Sequence, residues 1–88
     1  MLAAMPARKK PSLAPKDALG VAIKRARLKK EMTQEQLAHE AGMSLSTLAR
    51  IETGAHEARI STILQLSRAL GVSAASLIDE CETQLGKY

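Results

Sequence analysis

The chain has no tryptophan and no phenylalanine, and Tyr88 is its one aromatic residue. Any core must therefore be aliphatic, assembled from Leu, Ile, Val, Met and Ala. A single cysteine, Cys81, excludes an internal disulfide and fits a reducing, cytoplasmic compartment. No run approaches the roughly 18 consecutive apolar residues of a membrane span, so no membrane partner is expected. The basic cluster at positions 8–10 is followed by Pro-Ser-Leu-Ala-Pro and not by an apolar stretch, which argues against a secretory signal. With 88 residues the chain has length for one small domain and not two. A core this small is marginal, and a dimer contact would help it.

Catalytic constellations are missing as well. His39 and His56 do not stand at metal-ligand spacing from Cys81, and there is no Cys-x-x-Cys, His-Glu-x-x-His or P-loop. No stretch reads as a strand, so no glycine-rich phosphate loop can follow one. The residues point to a protein that is not an enzyme and needs no cofactor or metal. Cys81 reads as a small core or interface residue, and His39 as a surface residue.

What is present is unevenly distributed. The formal net charge is +4, yet residues 1–30 hold nine Lys/Arg against Asp17, and residues 31–88 hold four against eight acids. Nucleic-acid affinity would lean on the N-terminal third; the other reading is a solvated basic helix and tail. Residues 1–15 contain all three prolines and a Lys-Lys pair with little periodicity, and read as a flexible basic arm. Such an arm can touch phosphates or a minor groove, or be inert.

The organising stretch is Thr33 to Gly54, TQEQLAHEAGMSLSTLARIETG. Thr33 and Gln36 form a capping box at the start of one helix. Leu37, Ala38 and Ala41 share an apolar face, and Gly42 ends it with a left-handed backbone. Met43 anchors the turn, Ser44 caps a second helix, Leu48 and Ile51 point inward, and Gly54 ends it. So short a connection forces a sharp crossing, as in a helix-turn-helix. Leu45, Ser46, Ala49 and Arg50 are the outward positions, all short except for the one long cation. Around this unit, Lys16–Lys30 reads as a first helix with Leu19, Val21, Ile23 and Ala26 as its apolar residues. Ile60–Leu70 reads as a fourth, with Ile60, Ile63, Leu64, Leu66 and Leu70 as core face and Gly71 as stop. A fifth follows Ser73, and its stripe of Leu77, Ile78, Cys81 and Leu85 extends far enough to make a dimer face.

The stretch IKRARLKKEMTQEQLAHEAGMSLSTLARIETG, followed by ILQLSRALGVS, resembles the Cro/C1-type (Xre) helix-turn-helix family of DNA-binding regulators. The likeness runs from about Leu19 to Ile78. It implies an all-α fold, a compact five-helix lambda-repressor-like domain over residues 16–82, with an arm at 1–15 and a tail at 83–88. It implies that Arg27 pairs with Glu52; Arg27 as an exposed phosphate contact is the other reading. It also implies that the loop after the third helix, with His56 and Arg59, touches the DNA backbone. Gln34 and Ser44, at two helix starts, are candidate phosphate ligands, with Thr47 beside them. Arg25, Lys24, Lys29 and Lys30 are candidates for flanking phosphates. Leu45 and Ser46 would face base edges, and Arg50 could reach a guanine. Members of the family often carry Gln at the positions of Leu45 and Ser46, so the base preference stays open and DNA shape gains weight.

The function this implies is a double-stranded DNA-binding transcriptional regulator, a repressor acting as a dimer on a palindromic operator. An antitoxin that binds a toxin and represses its own operon, or a restriction–modification controller, uses the same fold. A different class is a protein-interaction module that has lost DNA. No sensor domain is visible, so no small-molecule effector is implied.

Overall fold

The computed structural model describes residues 13–86. The arm expected at residues 1–15 lies outside the described residues as far as position 12, as do positions 87 and 88 of the expected tail. Five helices follow one another: α1 (Pro15–Lys29), α2 (Gln34–Ala41), α3 (Leu45–Thr53), α4 (Ile60–Leu70) and α5 (Ala74–Gln84). The described residues contain no strand. α1 starts one residue before the predicted Lys16, because Pro15 has the φ and the missing N–H that suit a first helical turn. α5 continues to Gln84, past the predicted domain end at 82.

α1 is the central element, packed against both α3 and α5. α2 lies against α3 and α4. Ile23, Leu37, Leu48, Ile51, Leu66 and Leu70 are the largest fully buried side chains, one or two from each of the first four helices. Each contributes roughly 1.5–3 kcal/mol on leaving water. The core is aliphatic, as an aromatic-poor sequence requires.

Gly20, in the middle of α1, is the contact that sequence reading missed. A Cβ there would lie 2.5 Å from the Glu52 carbonyl oxygen and 2.6 Å from that of Ile51. The absent side chain lets α1 rest directly on the last turn of α3. Lys16 Nζ ties the same two elements, donating to the Gly54 carbonyl at 2.8 Å.

Two expected apolar faces are narrower than predicted. On α4, Ile63, Leu66 and Leu70 are buried, but Ile60 is 69% and Leu64 48% exposed. Leu64 sits one residue, or about 100°, around the helix from Ile63, and no described residue covers the Ile60 side chain. On α5, the expected dimer stripe divides. Leu77 and Cys81 are buried in the domain's own core, which leaves them little surface of their own, while Ile78 is exposed and Leu85 half-buried. The fifth helix spends its main apolar face on α1.

Candidate nucleic-acid interface

The α2–turn–α3 unit is built as its residues dictate. The Thr33 hydroxyl accepts from the Gln36 N–H at 3.0 Å, and the Thr33 N–H donates to Gln36 Oε1 at 2.8 Å. Gly42 then takes φ +73°, and the Met43 N–H closes the end by donating to the Ala38 carbonyl. Met43 packs against the core from the turn. Ser44 Oγ accepts from the Thr47 N–H at 3.1 Å and donates to Thr47 Oγ1 at 2.8 Å. These caps leave the N–H groups of Gln34 and Glu35 on α2, and of Leu45 and Ser46 on α3, without intrahelical partners. Both helix starts therefore point free donors and the positive end of a dipole outward, which suits an anion such as a phosphate.

The inner face of α3 is locked. Leu48 and Ile51 are buried, and Glu52 beside them is 8% exposed. Its carboxylate accepts from Arg27 Nε at 2.8 Å and Nη2 at 3.1 Å. Arg27 Nη1 also donates to the Met32 carbonyl at 2.8 Å. The pair that the family resemblance implied is thus present, and it joins α1, the α1–α2 turn and α3. A bidentate guanidinium–carboxylate contact fixes orientation as well as distance.

The outer face of α3 is open. Leu45 is 41% exposed, Ser46 and Arg50 are exposed, and Ala49 is half-buried. Arg50 has no carboxylate within ion-pair distance among the described residues. Its own carbonyl is occupied, accepting from the N–H groups of Ala55 and His56 at 2.9 and 3.2 Å. That closes the C-terminus of α3 and sets the following loop, on which His56 and Arg59 are both exposed. Arg59 precedes α4 with no side-chain cap.

Of the expected phosphate ligands, Gln34 is engaged within the fold, while Arg25, Lys29 and Lys30 are exposed beside α5. Gln34 does not extend its amide to solvent: Nε2 donates to Glu52 Oε1 at 2.9 Å, making it a third grip on the buried carboxylate. Arg25 lies 3.4 Å from Glu80 of α5. Arg25, Lys29 and Lys30 line a cleft against α5. The cause is helical period. Arg25 and Lys29 are each two residues, or about 200°, from Arg27, which faces α3. Nothing in the spacing alone revealed that Gln34 has an acidic neighbour eighteen residues away.

Among the described residues, no group of His, Cys, Asp or Glu could hold a metal ion, and no helix is long and apolar enough to cross a membrane.

Comparison with known proteins converges on this geometry. A family profile described as helix-turn-helix matches residues 23–77. The immunity repressor protein of Bacillus phage phi105 is 36% identical over 62 residues, which are 70% of this chain and 43% of that protein. This chain thus spans less than half the length of that relative. The crystal structure of the clp gene regulator ClgR from C. glutamicum superposes with a TM-score of 0.83 at 26% identity, over 88% of this chain and all of that one. The restriction-modification controller protein C.AhdI from Aeromonas hydrophila superposes with a TM-score of 0.71 at 28% identity, over 74% of this chain and 98% of that one. With the profile spanning the capped unit and the helices that hold it, the chain belongs to the Cro/C1-type helix-turn-helix family.

Proposed function

We propose that the chain is a sequence-specific double-stranded DNA-binding transcriptional regulator, acting as a repressor by occupying a palindromic operator as a dimer. The observation that carries this reading is the two-sidedness of α3. One side is fixed by Leu48, Ile51 and the Arg27–Glu52 pair, while the other offers Leu45, Ser46 and Arg50 to solvent. Short residues let the helix backbone approach the groove floor, and Arg50 reaches beyond it. Free N–H groups at the starts of α2 and α3 would take phosphates on either side. Ser44, Thr47, His56 and Arg59 are further backbone contacts under this reading. Phosphate contacts set position, and the α3 side chains set sequence.

A single module of this size makes few base contacts, which is why a dimer is proposed. Two copies related by a two-fold axis would meet half-sites about 34 Å apart, one turn of duplex. Ile78 is the large apolar residue of α5 left exposed among the described residues, and is offered for such a contact.

A restriction–modification controller is the second reading, favoured by the 28% identity to C.AhdI along nearly all of that protein. Both readings place DNA on the same face of α3. The test is a titration of the chain onto the duplex upstream of its own gene at increasing salt. With six phosphate contacts or more, affinity should fall by about a thousandfold between 50 and 200 mM salt. A salt-independent affinity, or none, would remove the DNA reading. A neighbouring methyltransferase and endonuclease pair would decide for the controller.

A further inference from the structure

The cleft between α1 and α5 is unused by the DNA reading. Its apolar floor is formed by the half-buried Ala26 and Val72 over the buried Ala22 and Leu77, and its volume is about 150 Å³. A cavity of about that volume takes a small apolar molecule such as benzene, the scale of one aliphatic side chain. Three cations stand at its rim: Arg25, Lys29 and Lys30. Arg25 already shows how a carboxylate sits there. Glu80 lies 3.4 Å from its Nε, steadied by the Gln84 amide at 2.9 Å. Lys29 and Lys30 have no carboxylate within ion-pair distance among the described residues. Lys30 is near the end of α4, its Nζ 3.6 Å from where a Cβ on Gly71 would be. That places the ammonium beside the C-terminal, negative end of the α4 dipole.

The direction of this rim decides the kind of ligand. Arg27 turns its side chain to Glu52 of α3, and Arg25 and Lys29 lie about 200° around α1 from it, so this part of the rim is turned away from α3. A basic rim around an apolar floor, turned away from α3, suits a chain that carries acids flanking an aliphatic residue. We propose that the α1–α5 cleft docks an acidic peptide segment of another protein. One leucine-like side chain rests on the floor, and its flanking carboxylates meet Lys29 and Lys30. This goes beyond the DNA reading and does not depend on it. It would let a protein partner ride on the regulator while α3 stays in the groove.

The experiment is a titration of the ¹⁵N-labelled full chain, without DNA, with the capped peptide Glu-Glu-Leu-Glu-Glu. Its control is Gln-Gln-Leu-Gln-Gln. The expected result is a saturable shift of the Ala22, Ala26, Val72 and Leu77 amides by the acidic peptide alone. The double variant Lys29→Glu/Lys30→Glu should weaken it at least tenfold while melting cooperatively. A second variant, Ser76→Tyr, crowds the cleft mouth without altering a charge and should weaken it too. Shifts centred on Leu45–Arg50, an equal response to the glutamine peptide, or undiminished affinity in both variants would overturn the proposal. So would a double variant that keeps the peptide and loses duplex DNA, because the two lysines would then be phosphate ligands. Because the peptide is tested without DNA, failure on the operator leaves its result standing.

Discussion

Arg27 and Glu52 meet edge to edge, Nε on Oε2 at 2.8 Å and Nη2 on Oε1 at 3.1 Å, with side chains 9% and 2% exposed. The contact spans twenty-five residues of sequence and fixes the first helix to the third. Buried pairs of this kind often add little net stability, because both ions lose water. Their effect is asymmetric: a lone survivor is costly. Arg27→Met would leave the Glu52 carboxylate with only the Gln34 amide as its side-chain partner. Its stability in urea denaturation should fall by about 3–5 kcal/mol. Arg27→Met/Glu52→Leu should recover most of that loss. If the double variant is as unstable as the single one, the pair holds the fold by more than charge compensation.

Gly20 and Gly42 make a matched contrast. At Gly42 a Cβ would meet nothing within 4 Å, and the difficulty for alanine is φ +73° alone. Gly42→Ala should cost about 1–2 kcal/mol, and Gly42→Asn less, since Asn tolerates the left-handed region. Gly20 lies in regular helix, where alanine would by itself gain about 1 kcal/mol. Its Cβ, however, would press into two backbone oxygens that have no flexible end to yield. Overpacking of about 1–3 kcal/mol should outweigh the propensity gain, and Gly20→Asn should be worse than Gly20→Ala. Thermal melting of the four variants reads this reversal of order.

Cys81 is buried, and that burial, reinforced by the charge of Glu80, pushes its thiol above the ordinary 9.0; its own backbone hydrogen bond offsets this in part. The folded state therefore keeps its proton at a pH where the unfolded chain has begun to lose it. Unfolding releases protons in that window, so stability is retained below about pH 9 and declines as pH rises beyond it. Cys81→Ala should flatten the alkaline decline while lowering stability at neutral pH through the lost packing. Iodoacetamide should label Cys81 at pH 8 far more slowly in buffer than in urea.

Local signals carried most of this architecture. Thr33 with Gln36, the cap at Ser44, and the glycines at 42, 54 and 71 mark helix ends through chemistry within four residues, and all appear in the structure. The inward residues of α2 and α3 follow from period alone. What period could not decide is which face of a helix with two neighbours meets which neighbour. α1 is such a helix, so Arg25 and Lys29 turned out to face α5. The same limit explains Leu77 and Cys81, whose stripe was legible but whose partner, the domain's own core, was not. Gly20 and Gln34 depend on Glu52, a residue distant in sequence from both, and no local pattern announces that contact.

Arg50 is the residue on which recognition of sequence should turn. It is the only long donor among the outward positions of α3, it is exposed, and no described carboxylate holds it. Leu45 and Ser46 at the helix start have shorter reach, and Leu45 offers only an apolar contact, such as one with a thymine methyl. Removing Arg50 should therefore affect one base pair strongly and the rest weakly. Arg50→Ala is expected to cost about 1–3 kcal/mol on the preferred site and to equalise affinity among the four bases at that pair. Leu45→Ala should cost less and act at a neighbouring pair. Arg59→Ala, by contrast, should weaken all sequences alike and make the dependence on log salt shallower by about one. Binding across every single-base operator variant separates the three patterns. An Arg50→Ala protein with an unchanged base preference would mean that discrimination comes from duplex shape, and that α3 contributes position without reading.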